Sequence, residues 1–187
     1  REAEMAQWIS DVWNSLHTSD VWVDWNTGRT SGFLIMGGAV DNTPLYNFLQ
    51  SLMARFTTYQ KRVTISSTEV NAGVYTEFDQ SNTKFADLPE AAVCSSSIPG
   101  VFPPHHWKNR GIFMDGGTVY NINLEAAVHQ CLDLGYKESQ IEIDALFCGA
   151  PDQPRPIPEA GATWENYFRG RELRHYRDNS NSISASM

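Results

Sequence analysis

The sequence predicts a layered α/β fold. Three observations lead there. Two stretches carry the 3.6-residue apolar period of amphipathic helices. Two short runs alternate around a turn as paired strands do. Two further apolar runs are short enough to be buried strands. Strands interleaved with helices bury their apolar faces most readily as stacked layers.

Each element follows from its residues. Over 2–16, Met5, Trp8, Ile9, Val12, Trp13 and Leu16 recur at helical spacing and form one stripe, read as a packing face. Residues 17–43 are rich in Thr, Ser, Gly, Asn and Asp and read as mostly loop. Thr43-Pro44 then reads as an N-cap followed by proline at the first helical position. Leu45, Phe48, Leu49, Leu52 and Met53 continue that helix as its apolar stripe. Val63 and Ile65 alternate within a strand over 62–70, "NAG" at 71–73 turns the chain, and 74–78 return as the second arm of a hairpin. Residues 87–97 read as a short helix of small residues, with its acids at a solvated terminus, broken by "IPGVFPP". A strand is expected at 112–115. A helix follows, capped by Asn123 and ended by Gly135, and a buried-type strand at 141–148. "PDQPRPIP" at 151–158 reads as a linker and 164–176 as helical, so the main body ends near residue 150.

Composition excludes several classes of function. The 187 residues are 41% hydrophobic and 19% charged, which suits a folded domain with a real core. A formal net charge of −8 argues against a nucleic-acid partner, because a phosphate backbone needs a basic face. No apolar run is long enough to cross a membrane as a helix. The three cysteines, Cys94, Cys131 and Cys148, are odd in number and lack C-x-x-C spacing. They read as buried thiols and tilt the reading toward a reducing, intracellular compartment. The chain opens on Arg1 directly into a helical pattern, which reads as a piece of a longer protein.

The chemistry gathers around "GIFMDGGTVYNIN", residues 111–123. An apolar strand there ends on a carboxylate, Asp115, followed by Gly116 and Gly117. Open α/β folds place their chemistry at strand carboxyl ends. Asp-Gly alone is a common turn pair, so the motif needs its context. "CSSSIPGVFPP" at 94–104 precedes it, with Ser95, Ile98, Pro99, Gly100, Phe102, Pro103 and Pro104, and "NINLEAA" follows. Together these blocks resemble the patatin-like acyl hydrolases, a family of phospholipases and lipid esterases. Asp115, Gly116 and Gly117 match the family's dyad-acid motif. Asn121 or Asn123 falls where it shows Asn-x-Pro, here "NINL". "TEVNAG" at 68–73 is similar to its Thr-Asp-x-x-x-Gly turn, with Glu69 in place of Asp.

The resemblance covers about residues 1–150. It implies a mostly parallel central sheet flanked by helices, incomplete on its N-terminal side. It also implies ester hydrolysis by a Ser–Asp dyad, with Asp115 as general base and no histidine, metal or organic cofactor. A serine hydroxyl becomes nucleophilic only when a base takes its proton. The two glycines would leave room for that approach. The family's G-x-S-x-G elbow and glycine-rich oxyanion loop are both absent from this sequence. "GRTSG" at 28–32 places Ser31 one position late. The nucleophile is therefore expected in an N-terminal segment or on a partner chain. The implied substrate is a lipid or acyl ester, met at a membrane surface. The alternative is a non-catalytic relative serving as a binding or structural subunit.

Other side chains take simpler readings. His105 and His106 are adjacent, point apart and lack a framing acid or thiol cluster, so they read as a surface pair rather than a metal site. Trp8 and Trp13 fit the packing stripe. Trp22 and Trp25, in a polar stretch, are the candidates for substrate or membrane contact.

Overall fold

The computed structural model describes residues 2–146 together with Asn166, Arg169, Gly170 and Leu173. It divides into two units, Arg1–Thr118 and Val119–Met187.

In the first unit, helix α1 spans Glu2–Ser15, α2 Thr18–Val21, α3 Gly28–Ile35, α4 Thr43–Met53 and α5 Leu88–Ser96. The strands are β1 Ile65–Glu69, β2 Val74–Phe78, β3 His105–Trp107 and β4 Gly111–Asp115, in the sheet order β2-β1-β4-β3. Every neighbouring pair is antiparallel, which corrects the expectation of a mostly parallel sheet. Connection length explains much of this. Residues 70–73 join β1 to β2, and 108–110 join β3 to β4. Links that short can only reverse the chain, whereas parallel neighbours need a crossover of about a dozen residues or more. The two hairpins then meet through β1 and β4. Gly73 and Asn109 supply the left-handed backbone of the turns, at φ 65° and 66°.

Helix α5 packs on β1, β3 and β4, and α4 packs on α5. Lying between sheet and helix, α5 buries Leu88, Pro89, Ala91, Val93 and Cys94 around most of its circumference. The core joins its Ala91 and Cys94 to Phe78, Trp107 and Phe113 of the sheet, with Ile65 against them. Phe78 meets Phe113 edge-on at 5.3 Å and Trp107 at 5.0 Å. Arg110 lies over the Trp107 ring at 4.6 Å and donates to Thr83 Oγ1 and the Asn82 carbonyl, closing this end of the core.

Two expectations need correction here. The 17–43 stretch holds α2 and α3. The only buried residue of α3 is Gly32, so no inward apolar stripe marks it. Trp25 anchors that helix. Its Nε1 donates to the Gly38 carbonyl at 3.0 Å, and a Cβ on Gly32 would lie 2.3 Å from the Trp25 ring. Trp13, expected in the packed stripe, is 70% exposed. Trp8 does pack, edge-on to Phe56 at 5.6 Å. Met5, Ile9 and Trp13 thus face outward while Trp8, Val12 and Leu16 turn inward, which splits the predicted face in two.

In the second unit, α6 spans Leu124–Asp133. The Asn123 side chain accepts from Ala126 N at 3.0 Å as its N-cap, and Gly135 takes φ 86° just past its end. Residues 141–146 form no strand, for no described segment pairs with them, and 147–148 lie outside the described residues. The 151–158 linker also lies outside them. Of the helix expected at 164–176, Asn166, Arg169, Gly170 and Leu173 are helical. Among the described residues no helix is long and apolar enough to cross a membrane.

Candidate active site

Alternation along β4 sets which side chains meet α5. Phe113 is in the core, so Asp115, two positions on, shares its face at the strand's carboxyl end. Asp115 is half-buried and stands opposite Ser67 of β1. Four contacts hold this point. The Asp115 N–H donates to the Ser97 carbonyl at 3.0 Å. The Ser67 hydroxyl donates to the Met114 carbonyl at 2.7 Å. Asp115 Oδ1 accepts from Gly117 N at 2.7 Å, the side-chain turn bond that Asp-Gly sequences favour. Gly116 is pressed against β1, where a Cβ would lie 2.5 Å from the Ser66 carbonyl oxygen.

Gly116 has a packing role as well. The missing side chain admits the neighbouring strand's backbone. The chain reverses into the turn at Gly116–Thr118 with its backbone close against Ser66, where a side chain would force a shift.

The "CSSSIPGVFPP" block reaches the acid through Ser97. Helix α5 ends there. The Ser97 hydroxyl donates to the Val93 carbonyl at 2.8 Å, and Val101 N bonds back to Ile98 O at 3.0 Å. With Pro99 second and Gly100 third at φ 82°, this is a type II turn. The segment beyond is held by residues 38–40. Ala39 N donates to Gly100 O and Val40 N to Val101 O, while a Cβ on Gly38 would strike the Phe102–Pro103 backbone at 2.4 Å. Ser95 is half-buried on α5. Asn121 is exposed and belongs to the second unit.

Sequence reasoning passed over Ser67 and Ser97. Both are fully buried. Their signal was a hydroxyl at a position an apolar residue would ordinarily take, since a buried hydroxyl needs a partner.

Glu69 belongs to the scaffold. Its carboxylate accepts from Ala72 N at 2.6 Å, closing the β1–β2 turn, and from Ile112 N of β4 at 3.4 Å. The Ala72 bond leads in holding its pKa below the usual value. The histidines divide as alternation requires. His106 is exposed, whereas His105 faces α5 and pairs with Glu90. The other Glu90 oxygen accepts from Tyr46 OH at 3.0 Å, and Gln50 donates to that hydroxyl at 2.7 Å. Glu90, expected at a solvated helix end, therefore ties α4, α5 and β3 together.

A cavity of about 560 Å³ lies beside α3, lined by residues including Asp24, Trp25, Ser31, Ile35 and Asp41. None of the motif residues lines it. Asp24 is paired with Arg29, and Asp41 accepts from the Thr43 N–H and hydroxyl. Among the described residues no group of three His, Cys, Asp or Glu side chains could hold a metal ion.

The patatin-like phospholipase family model matches residues 1–128, which include Ser95, Pro99, Asp115, Gly116, Gly117 and Asn121. No curated protein and no solved structure matches the chain.

Proposed function

The chain belongs to the patatin-like phospholipase family, and from that premise we propose that it supplies the acid of a Ser–Asp dyad that cleaves acyl esters of lipids. Asp115 is the general base. It takes the proton of a serine hydroxyl as that oxygen attacks the ester carbonyl. The ester C–O bond then breaks and the alcohol leaves with the proton Asp115 has taken, giving an acyl-enzyme. Water attacks that acyl group, and Asp115 takes its proton and passes it to the serine oxygen as the acid is released. The serine comes from outside these 187 residues. The substrate is a lipid or other acyl ester, met at a membrane surface. No cofactor enters the reaction.

One observation carries the reading: within the matched region, Asp115 ends β4 with its backbone bonded to the "CSSSIPGVFPP" block. A base must be held at hydrogen-bond reach of its proton, and a strand end pinned by a second element holds it better than a loop.

The test is Asp115→Asn in the intact protein, assayed on a short-chain nitrophenyl ester, with circular dichroism as the folding control. Asn can keep the Gly117 bond but cannot take a proton. Turnover should fall by roughly 10²–10⁴-fold. A folded variant retaining more than about a tenth of the activity, far above what loss of a general base permits, excludes Asp115 as the base. A wild-type protein with no turnover supports the non-catalytic relative instead.

A further inference from the structure

We propose that Ser67 and Ser97 are positioning residues for Asp115, gripping the Met114–Asp115 peptide from its two sides. The inference rests on Asp115 being the base. Its structural part stands on this geometry alone.

A peptide group is planar and stiff, so fixing its carbonyl and its N–H fixes the whole plate. Here the two ends of one plate are held by different elements. The carbonyl of Met114 accepts the Ser67 hydroxyl of β1 at 2.7 Å. The N–H of Asp115 reaches the Ser97 carbonyl at the end of α5, at 3.0 Å. The Cα of Asp115 hangs directly from that plate. The Oδ1 bond to Gly117 N then sets the side-chain rotation. Backbone position and carboxylate direction are thus specified separately.

The choice of residues fits this role. Ser67 lies on the core face of β1 with no solvent exposure, in line with Ile65, where a packing residue is the default. A hydroxyl there gains nothing from water, and it donates to the carbonyl just before the acid. The Ser97 hydroxyl acts one step further back. By binding the Val93 carbonyl it finishes α5 and turns its own carbonyl toward Asp115. Catalytic groups need placement within about 0.5 Å, and a misplacement of about 1 Å can cost on the order of 10²-fold in rate.

The experiment uses the intact protein with Ser67→Ala, Ser67→Thr and Ser67→Cys. It reads kcat and KM on the nitrophenyl ester, together with exchange of the Asp115 amide proton by NMR. In Ser67→Ala, kcat should fall about tenfold or more, within the cost of sub-ångström misplacement. KM should stay within about twofold, because substrate binding is untouched. Amide exchange at Asp115 should quicken about five- to tenfold, as one lost hydrogen bond allows. Ser67→Thr, which keeps the hydroxyl, should restore both. If its extra methyl prevents folding, Ser67→Cys, a weaker donor, should fall between wild type and Ala. Unchanged kcat and unchanged amide exchange in Ser67→Ala overturn the proposal. So does an equal loss in Ala and a folded Thr variant, which marks Ser67 as a packing residue only. Failure of the base reading appears separately. Asp115→Asn then stays active or the wild type is inert, while the amide exchange still decides whether the grip exists.

Discussion

Replacing Gly116 with alanine tests the tightest backbone contact beside Asp115. The added Cβ would stand 2.5 Å from the Ser66 carbonyl oxygen, 2.9 Å from its carbon and 3.2 Å from Ser67 N. Carbon–oxygen contacts normally begin near 3.3 Å, so the overlap is about 0.8 Å. The struck atoms are backbone, in a strand paired on both sides by β2 and β4, and cannot step aside as a flexible side chain would. Overpacking of this kind costs about 1–3 kcal/mol. An opposing term exists. Gly116 has no left-handed φ, so alanine also narrows the unfolded ensemble and returns about 0.4–1 kcal/mol. The steric term wins, leaving a net loss of about 1–2 kcal/mol. At about 2–4 °C per kcal/mol for a chain of this size, Tm should drop by about 2–8 °C. Thermal unfolding followed by circular dichroism measures it. Gly73→Asn is the control, since nothing lies within 4 Å of that position and Asn tolerates its left-handed backbone. It should leave Tm within about 2 °C, as surface changes away from special features do. A Gly116→Ala variant melting at or above wild type would mean the entropic term prevails, and the turn after Asp115 does not rest on Ser66.

Two further outcomes follow from the ionisable groups. Bonds from Ala72 and its neighbours hold the Glu69 pKa below its ordinary 4.5, so this carboxylate stabilises the fold above about that pH and the contribution is lost as pH falls through the lower folded value. Glu69→Gln should therefore flatten the acid limb of a Tm–pH curve below 4.5, and an unchanged limb would show that the carboxylate does not close the turn. Burial, reinforced by the negative charge of Glu90, pushes the Cys94 thiol up to about 12. Cys94 should resist iodoacetamide at pH 8 in the folded protein and react only after urea unfolding, as peptide mass mapping would reveal; native-state labelling as fast as that of half-buried Cys131 would contradict the core assignment.

The local elements can be read from the residues that build them. The spacing of Leu45, Phe48, Leu49, Leu52 and Met53 marks α4, and all five are half-buried there. "NAG" marks the β1–β2 reversal because Gly73 alone in that turn takes a left-handed backbone. "IFM" before Asp115 marks β4, and Asn123 caps α6 as its side chain allows. Each of these is decided by residues within a turn or two of one another, which is the range over which periodicity and capping act. The motifs around Asp115 were legible in the same way, as short strings that resemble a family.

How those strings meet depends on long-range packing. Strand direction was misread because antiparallel pairing between β1 and β4 leaves no mark in either segment. Helix α3 was missed because it buries a glycine and exposes Phe33, Leu34 and Ile35, the reverse of what a periodic stripe reports. Glu90 looked like a solvated helix end until His105 and Tyr46 came against it from β3 and α4. Ser67 and Met114 stand 47 positions apart, and no local pattern says that one will hold the carbonyl of the other. Such contacts depend on which faces the packed layers bring together. Burial then leaves a hydroxyl without water and makes its one protein partner the deciding interaction.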